Sequence, residues 1–472
     1  MSAYNQYQGE FCAQNDYLLN QVLRDEWGFD GFVISDFIFG VHDAAGGINA
    51  GNDVEMCNRN HYKPAKVKKA IRKGTLQVKT IDESATRIVR TLLAFTEADD
   101  PQEYPAALSA CEEHLAFAQE VAEKSAVLIK NQNNVLPLAE KQVRNVVLVG
   151  DLAKAKNTGD HGSSYLKRAQ ADNLVRVMEQ RLGSGNVRFV STQEAAGAKT
   201  TLEKADAVIF VVGMRHSDEG EFLTARTKIG GDRKTLGLRL EEEKMLEELG
   251  SLNSNTTVVL IGGNVIILDP WIEQVPSVLM MFYPGVRGAA ATANLLFGDV
   301  NPSGKLPFAI ARQETDYPAV NWEAEEQHYG YYHGYTKFDK EGITPRAPFG
   351  FGLSYTRFAL QDARVKAVSQ DRVTFSVQVK NTGNHRGGEV AQLYIRWPGS
   401  AVDRPVKQLM DFGKVYLEAG ESAEVELAVQ KADLAYYDET KNCFIAEDLT
   451  YEAYLSNSAD ISGVAAIPFR FQ

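Results

Sequence analysis

A chain of 472 residues with 44% hydrophobic and 24% charged residues carries enough apolar sequence for about three domains with cores, which excludes a disulfide-stapled or motif-only module. Lys and Arg number 50 against 62 Asp and Glu, and the net charge of −12 argues against nucleic acid or an anionic membrane as partner. Four scattered cysteines, Cys12, Cys57, Cys111 and Cys443, make no zinc-like grouping, and the longest apolar stretch, 258–268, is too short to span a bilayer and reads as a core strand.

Along residues 1–95, Asn15 is placed to cap a helix bearing Leu18, Leu19, Val22 and Leu23. Residues 31–36 then read as a buried strand that ends in a carboxylate, Asp36. An acid at the carboxyl end of an apolar strand stands where parallel α/β folds open their active sites. The competing reading is a helix N-cap. Helices are predicted over 64–73 and 82–94, with Ile88, Val89, Leu92 and Leu93 spaced for one buried face. A linker rich in Glu, Pro and Ala covers 97–110. Beyond it, strands at 146–150, 187–191, 207–213, 257–261 and 278–282 alternate with helices such as 171–182 and 241–249, the pattern of a mostly parallel sheet covered on both faces. From about Phe358, alternating segments at 373–380, 390–397 and 423–429, punctuated by turns such as Asn381-Thr382-Gly383-Asn384, point to a β-sandwich.

After the strand ending at Gly213, the segment His216-Ser217-Asp218-Glu219-Gly220-Glu221 concentrates ionisable groups and leads on to Gly230-Gly231-Asp232-Arg233. Such crowding suits a general acid, because neighbouring charges raise a carboxyl pKa; a solvated acidic loop has the same composition. Asp53 and Glu55, close to Gly51, suit either polar ligand groups or surface capping, and neither has a histidine at metal-ligand spacing. His42, His61, His161, His216 and His333 are isolated or beside a single acid. Residues 160–164 hold Asp, His and Ser without the GxSxG turn a nucleophile elbow needs. No GxGxxG follows a first strand and no GK[ST] occurs, which argues against nucleotide binding.

Several segments in order resemble glycoside hydrolase family 3. They are Met1-Ser2-Ala3-Tyr4-Asn5, the run from Leu23 to Phe37 with Gly31-Phe32-Val33-Ile34-Ser35-Asp36, and Ala50-Gly51-Asn52-Asp53-Val54-Glu55-Met56. Leu128-Ile129-Lys130-Asn131 with Leu136-Pro137-Leu138, the run from Gly298 to Pro307, and Phe349-Gly350-Phe351-Gly352-Leu353-Ser354-Tyr355 continue the series.

The resemblance implies an α/β fold made of a partial (β/α)8-like barrel over 1–96, a linker over 97–113, an α/β sandwich over 114–320, a connecting segment over 321–357 and a fibronectin-III-like β-sandwich over 358–472. It implies a retaining, exo-acting β-glycosidase, with β-D-glucoside preferred over β-D-xyloside. Asp36 matches the nucleophile of a Ser-Asp-Trp motif in which Phe37 stands for the tryptophan, and Glu221 is the best match to the acid/base, with Glu219 its rival. Tyr4 and Phe37 fall at the sugar site, with Asp53 and Glu55 as further polar groups. A retaining mechanism would hold the two carboxyls roughly 5 Å apart across a domain interface. No metal or other cofactor is implied. The aromatics Trp271, Tyr283, Trp322, Tyr329, Tyr331, Tyr332 and Tyr335 could stack on sugar or simply pack.

In family proteins much of the barrel precedes the segment matching Met1. The expectation is therefore an incomplete barrel with an exposed edge, supplied by a complementing barrel polypeptide, by a homo-oligomer, or by nothing if the chain is a fragment. Expected ligands are β-linked glucosides or oligosaccharides, with neither nucleic acid nor membrane as partner. The different-class reading is a catalytically silent carbohydrate-binding or assembly subunit. No leader peptide follows Met1, so a cytoplasmic location is expected.

Overall fold

The computed structural model describes residues 1–98, 105–159, 163–166, 170–220, 233–321, 324 and 326–472. They divide into two units, Met1–Pro105 and Ala106–Gln472.

In the first unit a short hairpin, β1 (Gln6–Tyr7) and β2 (Glu10–Phe11), leads into a helix over Tyr17–Glu26 that winds as a π-helix. Asn15 is buried and its Oδ1 accepts the Leu18 amide at 2.9 Å, the capping role expected of it. Three segments then run parallel. The Ser2 amide bonds to Ile34 O, Ser35 N to Val54 O, and Asp53 N to Val33 O, all at 2.8–2.9 Å. The stretch expected as a strand over 31–36 is thus parallel in its pairing, although it makes single bridges at Ile34 and Ser35 rather than a full ladder. Helices α1 (Ala44–Asn49), α2 (Pro64–Arg72) and α3 (Val78–Glu97) follow, and Ala45, Ile48, Ala70 and Leu76 form a small core between them.

One expectation fails here. Val89, Leu92 and Leu93 of α3 are more than half exposed instead of lying on a buried face. The helix turns Ser84 inward and sends Arg87 to Asp53, while the apolar stripe of its second half stays uncovered within this unit.

The second unit is organised by a six-stranded sheet of order β3-β8-β7-β6-β4-β5. Its strands are β3 (Val127–Asn131), β4 (Val146–Val149), β5 (Val187–Val190), β6 (Ala207–Gly213), β7 (Thr256–Ile261) and β8 (Ser277–Phe282), all parallel except the edge strand β3. Both faces are buried, as such a parallel sheet requires. Val147, Val149, Phe210, Val212 and Leu260 face one side, and Leu148, Ile209, Val211, Val259 and Leu279 the other. On the second side lie α4 (Glu112–Ser125), α5 (Leu174–Leu182) and α9 (Gly288–Phe297). On the first lie α6 (Lys199–Glu203) and α8 (Leu240–Leu249), while α7 is the single turn His216–Glu219 beyond β6. The core strand expected over 258–268 stops at Ile261, where Gly262 and Gly263 lead the chain out of the sheet; residues 265–268 stay buried outside the sheet.

A connecting stretch containing α10 (Gly334–Glu341) precedes the β-sandwich. One sheet is β13-β10-β9 and the other β12-β11-β16-β17. The strands are β9 (Phe358–Val368), β10 (Arg372–Asn381), β11 (Gly387–Arg396), β12 (Gln408–Leu417), β13 (Ser422–Gln430), β16 (Tyr451–Ser456) and β17 (Ile467–Phe469), with β14 (Tyr436–Asp438) and β15 (Cys443–Ile445) as a separate hairpin. Val373, Phe375, Val377 and Val379 alternate into the core against Leu393, Ile395, Val425 and Leu427. A Lys305–Glu389 ion pair of 2.6 Å, almost wholly buried, joins the sandwich to the α/β layers.

Candidate active site

In the first unit Asp36 follows directly on the parallel rungs at Ile34 and Ser35, at the carboxyl end of its segment. No helix begins there, so the N-cap reading does not hold. Residues 37–39 form a tight turn instead. The Phe37 amide donates to Asp36 Oδ1 at 2.7 Å, which fixes one carboxylate oxygen from the backbone. Ile38 takes φ +67°, a left-handed conformation that a β-branched residue adopts only under strain, and its amide is held by Met56 O at 2.8 Å. The Tyr4 hydroxyl donates to Phe37 O at 2.8 Å. The turn thereby presents Phe37 and Phe39 as exposed aromatic surface beside the carboxylate.

Asp53 and Glu55 are otherwise engaged. Asp53 Oδ2 accepts from Arg24 at 2.9 Å and Val33 N at 2.8 Å, while Oδ1 takes Nε and an η nitrogen of Arg87 at 3.0 and 2.7 Å. Its side chain has no exposed surface, so it cross-links the π-helix, the parallel segment and α3 rather than offering a face to a ligand. Glu55 is buried too and folds back on the amides of His61 and Tyr62 at 2.7–2.9 Å. Burial lowers the pKa of His61, with Lys66 adding to the effect.

In the second unit the sheet order makes a topological switch at β4, which has β5 on one side and β6 on the other. Ligands of doubly wound sheets enter at such a point, beyond the carboxyl ends of the strands. A cavity of about 270 Å3 lies there, lined by Asn157 and Gly159 after β4, His216, Glu219 and Gly220 after β6, and Tyr283 after β8, with Ser164.

Gly213 closes β6 at φ +135°, and a Cβ there would lie 1.9 Å from Ile261 O, so only glycine lets β6 pass this close to β7 as it turns into α7. Glu219, at the end of α7, is mostly buried. Its Oε1 accepts Arg233 Nε at 2.9 Å, and its Oε2 accepts Gly263 N at 3.1 Å and the Tyr283 hydroxyl. Burial, helped by that carboxylate, pushes the Tyr283 phenol well above its ordinary range and keeps it a donor. Asp218, one residue earlier, accepts the Arg215 amide at 2.7 Å and the Arg239 guanidinium.

Glu221, Asp232, His161 and Trp322 lie outside the described residues. Of the other aromatics, Trp271 is wholly buried in the α/β core, and Tyr335 stacks on Phe349, while Tyr329 and Tyr331 are exposed. Among the described residues no cluster of three or more His, Cys, Asp or Glu is arranged to hold a metal ion, and no helix is long and apolar enough to cross a membrane.

Reading along the sequence misses Arg24 and Arg87 as the partners of Asp53, and Glu242, which sits wholly buried under α7. The available signal was the position of Arg215 to Glu219 just past a strand end.

Residues 1–91 match the model "Glycosyl hydrolase family 3 N terminal domain", 126–355 match "Glycosyl hydrolase family 3 C-terminal domain", and 389–459 match "Fibronectin type III-like domain". The chain is 33% identical over 459 residues to "Thermostable beta-glucosidase B" of Acetivibrio thermocellus, covering 93% of this chain and 58% of that protein. It is 30% identical to "Beta-glucosidase BoGH3A" of Bacteroides ovatus, covering 99% of this chain and 68% of the other. The solved structure of a GH3 beta-glucosidase from Bifidobacterium adolescentis superposes with a TM-score of 0.86 at 29% identity, over 99% of this chain and 69% of that one.

Proposed function

This chain belongs to glycoside hydrolase family 3, and from that premise we propose that it works in a retaining, exo-acting β-glycosidase that releases terminal non-reducing β-D-glucose by double displacement. The observation that carries the reading is Asp36: a carboxylate at the end of a parallel segment, one oxygen held by the Phe37 amide and the other with no hydrogen-bond partner among the described residues. Asp36 Oδ2 attacks the anomeric carbon as a protonated Glu221 gives its proton to the leaving glycosidic oxygen. The sugar is then esterified to Asp36. The ionised Glu221 takes a proton from water, the water oxygen adds to the anomeric carbon, and Asp36 leaves, so two inversions retain the β configuration.

Glu221 is preferred to Glu219 because three donors, one of them a guanidinium, already converge on the two oxygens of Glu219, an arrangement that suits an anchor of the loop rather than a proton donor. Tyr4 and Phe37 would shape the sugar site through the turn beside Asp36. The proposed domain limits are 1–96 for the barrel part, 114–320 for the α/β sandwich and 358–472 for the fibronectin-like domain.

The test is turnover of 4-nitrophenyl β-D-glucopyranoside and the matching xyloside, with Asp36→Asn alongside, and labelling by a 2-deoxy-2-fluoro-glucoside. A fluoroglucosyl mass on the peptide containing Asp36 supports the reading. Label elsewhere, or unchanged turnover in Asp36→Asn, overturns it. Saturable glucose binding without turnover in the wild type would favour the silent carbohydrate-binding subunit, and faster xyloside hydrolysis a β-xylosidase.

A further inference from the structure

Beneath the turn α7 a closed ring of interactions uses one carboxylate that the mechanism does not. Glu242, in the first turn of α8, has no exposed surface. Its Oε2 accepts the Gly213 amide at 3.3 Å, at the point where β6 ends. Its Oε1 has no hydrogen-bond partner among the described residues and stands 3.9 Å from Arg239. That same guanidinium reaches Asp218 with its other η nitrogen, and Asp218 in turn accepts the Arg215 amide at the start of α7. Arg239 thus stands between two carboxylates, bonded to one and just out of reach of the other. Its second η nitrogen has no hydrogen-bond partner among the described residues.

We propose that Glu242 is a positioning residue which, by competing with Asp218 for Arg239, sets how firmly the His216–Glu219 turn is held. The consequence for catalysis rests on the glycosidase reading above, because that turn carries Glu219 and runs two residues on into Glu221. The ring itself does not depend on that reading.

The competition is tunable near neutrality. Burial pushes the Glu242 carboxyl up to about 7, against the opposing pull of Arg239, the Gly213 amide and Arg215, and Glu241 adds to the rise. Among the described residues those are the charged groups that act on it. Of the other segments packed on α8, Ala195–Ala198 brings none, and Glu273 of Ile272–Gln274 is turned to Lys130 and Arg346. Protonated, Glu242 has little claim on Arg239, and the guanidinium stays on Asp218. Ionised, it draws Arg239 toward its orphan oxygen and loosens the turn.

Hydrogen exchange of the peptide covering 214–220, corrected for intrinsic rates, tests this at pH 5.5 and 8.5 on the full chain. Loss of one bond at the turn should lower wild-type protection by roughly tenfold at the higher pH. Glu242→Gln, which keeps the Gly213 bond but cannot ionise, should show equal protection at both. Arg239→Lys, lacking the fork, should give the low value at both. Equal pH responses in the wild type and Glu242→Gln, or full protection in Arg239→Lys, would overturn the proposal.

A kinetic arm separates this from the glycosidase reading. With turnover, the pH profile of kcat/KM should carry an inflection near 7 in the wild type that Glu242→Gln lacks, and its persistence in that variant counts against the proposal. Absence of turnover in every form would sink the glycosidase reading for this chain alone, and the exchange result would still decide the role of Glu242.

Discussion

The Tyr4 hydroxyl hydrogen-bonds to the carbonyl of Phe37 at 2.8 Å, tying a residue near the start of the chain to the one that follows Asp36. The Phe37 amide bonds to the Asp36 carboxylate, so a single peptide plane away from Tyr4 the orientation of the candidate nucleophile is decided. Tyr4→Phe removes the first of these bonds and keeps the ring. Because the bond is exposed, the expected cost to stability is small. The expected effect on glucosidase kcat/KM is a fall of about three- to tenfold, with the melting temperature nearly unchanged. A variant with wild-type kinetics would show that the turn holds its shape without Tyr4.

Asp53 gives the opposite expectation. It is the shared acceptor of two guanidiniums that are themselves mostly buried. Asp53→Asn leaves Arg24 and Arg87 without a counter-charge in a desolvated place, where removal of one partner costs about 3–5 kcal/mol. Urea unfolding of the full chain should show an early transition for the first unit in this variant. Glu55→Gln, whose bonds are to backbone amides and not to charges, should lose less.

Glu242 makes stability depend on pH in a direction opposite to that of most carboxylates. A carboxyl raised to about 7 in the folded protein binds a proton that the unfolded chain has already released, so stability falls as pH rises from about 4.5 to 7 and is level above that. The rise corresponds to roughly 3 kcal/mol between the two ends of the window. Glu242→Gln has no such group. Its melting temperature relative to wild type should therefore climb between pH 5 and pH 8, and a constant difference across that range would refute the assignment.

Glu219 and Glu221 should separate by the kind of damage their amides cause. Glu219→Gln weakens the ion pair with Arg233 and the bonds to Tyr283 and Gly263, and it should lower both stability and turnover. Glu221→Gln should leave the melting temperature alone and cost about 100-fold or more in kcat on an unactivated glucoside. The reverse pattern would make Glu219 the acid/base.

Much of the architecture was legible because it is written in short periods. The apolar run of β6 is buried end to end and its limits coincide with those read from the sequence, and the alternation at Val373, Phe375, Val377 and Val379 marks the sandwich. Asn15 announced its helix, and the strand–helix alternation announced a parallel sheet, since each of these signals is carried by residues adjacent in the chain. Asp36 could be singled out as a candidate, beside the reading as a helix N-cap, because an acid closing an apolar segment is itself a local pattern.

What the tertiary structure decided were the partnerships. Asp53 read equally as a ligand-binding acid or a surface cap until Arg24, 29 residues before it, and Arg87, 34 residues after it, met on its two oxygens. The apolar stripe of α3 promised a buried face that its unit does not cover, and the cavity beside Glu219 is assembled from the ends of separate strands. Glu242 stands in a run of three glutamates that sequence alone cannot tell apart; burial, and the 3.9 Å that separates it from Arg239, single out this one. Periodicity and turn chemistry belong to neighbours in sequence, whereas the charge, burial and reach of a side chain are set by what the fold brings against it from elsewhere in the chain.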